Sequence, residues 1–292
     1  MAIITMENLK YKYPGTDHLA LNGITLSIEK GEFIGIVGQN GAGKSTTIKV
    51  ILDLIKRDGG EITLLGEPDG AKDETLKEQI GVVFDENCFP DYLNRRDVNR
   101  MLKAIYRGWQ EERFGKLCDR FGLPGKQMIK EYSRGMKMKL SIAAAMSHQA
   151  RLLILDEALS GLDPVVRAEI LDMLREFVMD ERHTVFLSSH ITSDIEKIAD
   201  YILLIHKGEI LLYEDRDTLL EKYALIRCSA EEAAKLNPAI VVGVRRGRFD
   251  TEVLVRSREG LEANEHLVMD RASLEDILLY TAGEPGNERC AG

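Results

Sequence analysis

The residues with the clearest capacity for chemistry are Gly38-Gln39-Asn40-Gly41-Ala42-Gly43-Lys44-Ser45, which fit the pattern GxxxxGK[ST] without a mismatch. Glycines here let successive backbone N–H groups come close to phosphate oxygens. A helix starting near Gly43 would add unpaired N–H groups and a partial positive charge. Lys44 can reach the β- and γ-phosphates, and the Ser45 hydroxyl can ligate Mg²⁺. Gly38, Asn40, Gly41, Ala42, Gly43, Lys44, Ser45 and the adjoining Thr46 are therefore candidate ligands of a nucleoside triphosphate. The plain alternative is a Gly-rich turn that binds nothing. The flanks argue against it, because Phe33–Val37 reads as a buried strand and Thr46–Leu52 has helical spacing.

A second group follows at Leu152-Leu153-Ile154-Leu155-Asp156-Glu157, an apolar strand ending in two carboxylates. In P-loop enzymes an Asp at this place holds Mg²⁺, and an adjacent Glu can polarise the attacking water. The bland reading is a strand running into an acidic helix cap. Ser160-Gly161-Leu162-Asp163-Pro164 then makes a tight turn before a helix at about 165–180. Another buried strand, Thr184–Ser189, ends at His190. At the C-terminal end of a parallel strand that imidazole is a candidate γ-phosphate contact. His18, His148, His183, His206 and His266 read as solvated or packed. Glu131–Leu140 places a Ser, a Gly and a basic run before an apolar helix. That suits an anion-facing helix start, or equally a solvated one. Tyr13, upstream of the phosphate loop, could stack on a base or pack on its own sheet.

Strands are needed to hold these groups, and the chain supplies them. Residues 2–7, 20–29, 61–64, 79–84, 201–205 and 209–213 read as further strands, with a turn at Tyr11–Gly15. A helical pattern runs from about Arg96 to Ala150 with one break at Pro124-Gly125, and a helix near 217–223 closes this part. Beyond about residue 224 the character changes. Strands at Ala224–Cys228, Ile240–Val244 and Thr251–Val255, and a helix at Ser273–Thr281, suggest a small α+β unit. Its basic tip, Arg245-Arg246-Gly247-Arg248, reads as a solvated hairpin turn.

At 292 residues the chain has room for a large domain and a small one, and its net charge of −9 argues against nucleic acid as the main partner. Cys88, Cys118, Cys228 and Cys290 show no metal or redox spacing and read as free thiols of a reducing cytosol. The N-terminus lacks a basic n-region, and no apolar run approaches a membrane span. A membrane role would have to come through a partner.

Taken in order, these signals resemble the ATP-binding-cassette (ABC) ATPases over residues 1–223. The resemblance implies a P-loop nucleotide-binding domain, α/β in class, with a mixed sheet core and a helical subdomain at about 86–150. Residues 224–292 would be a small C-terminal α+β appendage. It implies ATP and Mg²⁺ as cofactors, an adenine-stacking Tyr13, a magnesium-associated Asp156, a catalytic Glu157, a D-loop through Asp163 and a switch His190. The family signature Leu-Ser-Gly-Gly-Gln reads Tyr132-Ser133-Arg134-Gly135-Met136 here. Ser133 and Gly135, which would meet the γ-phosphate on a partner subunit, are kept. Asp85 stands where the family places a metal-associated glutamine. Both departures, with Ala272–Ile277, look like the bacterial ABC-2 type exporter ATPases of antibiotics, bacteriocins and amphipathic peptides. Implied partners are a second copy of the chain and an integral membrane permease, which would hold the protein at the cytoplasmic face of the plasma membrane. Two other expectations are a cytosolic cassette ATPase serving assembly, and a nucleotide switch that barely hydrolyses.

Overall fold

The computed structural model describes residues 2–247, 250–257 and 268–282. Arg248, His266 and Cys290 lie outside them. At the centre is a six-stranded sheet in the order β10-β9-β3-β8-β7-β6. It is built from β3 (Phe33–Val37), β6 (Ile80–Phe84), β7 (Leu152–Asp156), β8 (Thr184–Ser188), β9 (Tyr201–His206) and β10 (Glu209–Asp215). All neighbours are parallel except the hairpin β9–β10.

The apolar runs of the sequence are explained by burial of both sheet faces. Ile34, Ile36, Leu152, Ile154, Phe186, Leu203 and Ile205 join one core. Phe33, Val37, Leu153, Leu155, Val185, Leu187, Ile202 and Leu204, alternating with them, join the other. The first core is covered by α1 (Lys44–Ile51) and an antiparallel sheet of β2 (Leu21–Glu29), β1 (Ala2–Tyr11), β4 (Gly59–Leu64) and the two-residue β5 (Glu67–Pro68). Tyr11 belongs to β1 and pairs with Leu21, so the turn begins later than its residues suggest. A short helix, α2 (Glu74–Lys77), precedes β6.

The second core holds the helices. The expected run over 96–150 divides into α3 (Arg95–Ile105), α4 (Glu111–Arg120) and α5 (Arg134–Ala145), because the chain also turns at Tyr106–Gln110. Asn94 accepts hydrogen bonds from the Arg96 and Asp97 amides and Asp97 returns one, a capping box that starts α3. Beyond β7 come α6 (Pro164–Val178) and α7 (Thr192–Ile198), and after β10 comes α8 (Arg216–Lys222).

A third sheet, β12-β13-β11-β14, is antiparallel. It contains β11 (Ala224–Cys228), β12 (Val241–Arg246), β13 (Thr251–Val255) and β14 (Val268–Arg271), with α9 (Ala230–Ala233) and α10 (Leu274–Ala282). One face has its own small core of Ala224, Ile226, Cys228, Val253 and Val255. The alternating residues Leu225 and Leu254, with Leu274, Ile277 and Tyr280 of α10, join the helical core of the main body. The Leu274 amide also donates to Glu196 of α7 at 2.9 Å. Among the described residues no helix is long and apolar enough to cross a membrane.

Candidate nucleotide site

A single row of residues across the central sheet sets the site. Ile36, Ser188, Asp156 and Phe84 stand opposite one another on four adjacent parallel strands. Each strand ends at or just past that row. The phosphate loop, Glu157, His190 and Asp85 therefore leave the sheet side by side at its carboxyl edge, where parallel sheets gather ligands.

The loop's glycines are required by its surroundings. A Cβ at Gly38 would stand 2.4 Å from the Ile205 carbonyl oxygen, and Gly43 turns into α1 at φ +116°. The Gly208 amide donates to the Ala42 carbonyl at 2.8 Å, so the β9–β10 turn braces the loop from outside. Lys44 folds back over the loop and donates to the Gly38 carbonyl oxygen at 2.8 Å. Its Nζ lies 3.2 Å from Glu157 Oε1, with the two side chains 5% and 19% exposed.

Asp156 Oδ1 accepts from Ser45 Oγ at 2.9 Å and from Ser188 Oγ at 2.7 Å. A hydroxyl and a carboxylate already in contact are the hard oxygen donors that Mg²⁺ prefers, so these residues fit that ion. Glu157 sits at φ +51°, in the left-handed region, where a non-glycine residue costs on the order of 1–3 kcal/mol. The Glu157 amide N–H donates to the Ser188 carbonyl oxygen and Oγ at 3.2 and 3.0 Å and helps hold it there. His190 Nδ1 meets Glu157 Oε2 at 2.6 Å. Burial pushes the Glu157 carboxyl up, but the His190 hydrogen bond and the Lys44 charge outweigh it and hold the group below the usual glutamate range.

These groups open onto a cleft of about 890 Å³ lined by Tyr13, Asn40, Gly41, Gly43, Lys44, Ser45, Thr46, Asp85, Glu157 and His190. Tyr13 packs edge-on against Tyr11 at 4.9 Å and its hydroxyl reaches Thr46 Oγ1 at 3.1 Å, and the residue also lines the cleft. His18, Ser160 and Lys207 line it as well. His18 is exposed, in keeping with the solvated reading, and it also borders the cleft. Its signal was only its place in the loop after Tyr13, and Lys207 comes in on the β9–β10 turn.

Ser133, Gly135 and Asp163 do not line this cleft. Ser133 caps α5 by accepting from the Met136 amide at 3.2 Å. Asp163 caps α6 by accepting from the Val165 amide at 2.8 Å. Arg134 lies between them, for a Cβ at Gly161 would stand 2.8 Å from its Nη1. Asp85 is placed differently. It lines the cleft and also a second groove of about 690 Å³, shared with Asn87, Phe89, Tyr132 and Lys137, and so stands in the wall between the two.

Residues 21–160 match the family described as ABC transporter. The bacitracin transport ATP-binding protein BcrA of Enterococcus faecalis is 35% identical over 211 residues, covering 72% of this chain and 68% of the relative. The lantibiotic transport ATP-binding protein SrtF of Streptococcus pyogenes is 33% identical over 217 residues, covering 74% and 92%. Among solved structures, an ATP-binding subunit of an ABC transporter superposes with a TM-score of 0.66 at 26% identity, covering 74% of this chain and 91% of that one.

Proposed function

Because this chain belongs to the ABC transporter family of ATP-binding proteins, we propose that it hydrolyses ATP in the cleft at Lys44 and uses the cycle to drive a separate membrane permease. The observation that carries this reading is the meeting of Lys44, Ser45, Asp156, Glu157 and His190 at one sheet edge. Lys44 stands 3.2 Å from Glu157. The triphosphate would take Lys44 for itself and leave the Glu157 carboxylate facing water, with His190 fixing its direction. Ser45 and Asp156 would hold Mg²⁺, whose chemistry here is to offset phosphate charge. Tyr13 would offer its ring to the base.

Ser133, Gly135 and Asp163 stand outside the cleft and point to a second copy. In this reading they cap the ATP bound to the partner, and ATP binds the closed pair preferentially. The groove beyond Asp85 would receive the permease, one of the ABC-2 type, and would place the protein at the cytoplasmic face of the plasma membrane. The cargo proposed is an amphipathic or antimicrobial peptide or drug, by similarity to relatives named for bacitracin and lantibiotic transport. Residues 224–292 are proposed as an appendage to the ATPase body of residues 1–223, whose helical part spans about 86–150.

Glu157→Gln tests the reading. It keeps the shape of the side chain but cannot accept a proton, so ATP binding should persist while turnover falls by about 100-fold or more. The variant should accumulate as an ATP-bound dimer on size exclusion. Phosphate release at the wild-type rate would rule out Glu157 as the base.

A further inference from the structure

Two helices next to the site carry a buried pair of charges that the reaction described above does not use. Asp163 caps α6 and Arg167 follows it by four positions; His190 precedes α7 and Asp194 follows it by four. The Arg167 amide donates to the Asp163 carbonyl oxygen at 2.9 Å, so Arg167 stands one helical turn behind Asp163, while Asp194 lies in the first turn of α7, just after the loop that carries His190. Arg167 Nε stands 3.1 Å from Asp194 Oδ2, and Asp194 is only 4% exposed. That oxygen accepts no hydrogen bond, so the contact is one of charges without alignment. The pair lines a cleft of about 400 Å³ between the helices, together with Arg175 and Lys197. Arg175 donates to the Lys197 carbonyl oxygen and makes a second tie between the same helices.

Such a pair is a poor device for stability. The Asp194 carboxylate has been desolvated and one of its oxygens is left without a donor, while Arg167 is half-buried. Burial pushes the Asp194 carboxyl above its usual range, against the pull of Arg167 and Lys197. What the pair does is tether one helix to the other. It joins the helix that carries Asp163 to the helix that carries His190, and His190 in turn holds Glu157 at 2.6 Å.

We propose that Arg167 and Asp194 are positioning residues that lock α6 to α7, so that the Asp163 turn and His190 move as one body. This rests on the two-copy reading above, in which Asp163 faces the partner's nucleotide while His190 faces the chain's own. A change at one nucleotide would then reach the water-polarising group at the other through a single rigid link.

The test is the apolar replacement Arg167→Met with Asp194→Leu in the full chain. Removing both partners of a buried pair leaves stability unchanged or raises it. The expected result is a melting temperature no lower than wild type, ATP affinity unchanged within about twofold, and kcat lowered about tenfold. A purely structural pair would leave kcat unchanged whatever happens to the melting temperature, and that outcome overturns the proposal. If the double variant fails to fold, Asp194→Asn carries the test, because it keeps the shape and removes the charge. It supports the proposal if kcat falls while ATP affinity holds, and overturns it if kcat is unchanged. Glu157→Gln run alongside separates the two readings. Its failure to lose turnover would sink the catalytic assignment, whereas an unaffected Asp194 variant beside an inactive Glu157→Gln sinks only the link.

Discussion

At the scale of single residues, Glu157 bears two constraints at once, a charge held between Lys44 and His190 and a backbone turned to φ +51°. Its carboxyl titrates below the ordinary glutamate value in the folded chain. A depressed carboxylate adds stability that is fully present above the unfolded pKa and is lost as pH falls through the folded one. Urea midpoints measured across the acid range should therefore fall less steeply for Glu157→Gln than for wild type. Parallel curves would mean the charge contributes nothing to folding. Asp85 makes a different prediction. We propose that its carboxylate, one methylene shorter than a glutamine, reaches Mg²⁺ directly or through water when MgATP is bound. Asp85→Ala should then need more Mg²⁺ for half-maximal phosphate release, and Asp85→Gln should recover part of the loss. Superimposable magnesium titrations for wild type and Asp85→Ala would exclude that role.

At the scale of elements, β3 and the helix α7 come close together at a glycine. A Cβ at Gly35 would stand 2.2 Å from Ile195 Cγ2 and 3.2 Å from Ala199 Cβ. Gly35→Ala should cost about 1–3 kcal/mol in chemical denaturation by pushing α7 off the sheet, and Ile195→Ala added to it should return part of that. Asn94→Ala should cost about 1 kcal/mol by leaving the first turn of α3 uncapped, with ATP affinity unchanged. The central strands were legible because burial on both faces writes them as unbroken apolar runs. The phosphate loop, Asp156-Glu157 and His190 were legible because each ends such a run. By contrast, α7 was not read as a helix, since its seven residues carry Asp194, Glu196 and Lys197 among few apolar ones. Strand β14, Val-Met-Asp-Arg, is half polar and takes its form from pairing with β11. His18 and Lys207 reach the cleft on loops, and only the tertiary fold decides where a loop arrives.

At the scale of the whole molecule, the C-terminal sheet and the ATPase body share one core through Leu225, Leu254, Ile277 and Tyr280. Unfolding should therefore be one event. Fluorescence of Trp109, which lies in the helical part and packs on Phe114, should report the same midpoint as calorimetry of the full chain. A separate transition for the appendage would show that its contact with α7 is weak. The order in which the chain is made gives that contact another meaning. Tyr280 is among the largest side chains the fold hides completely, yet α10 leaves the ribosome about 75 residues after the α7 surface it covers. At ordinary rates of synthesis that surface waits on the order of 4–15 s for its lid. During that interval the nascent ATPase body carries an apolar face open to chaperones and to other nascent chains. Docking of α10 is thus the step that closes this face.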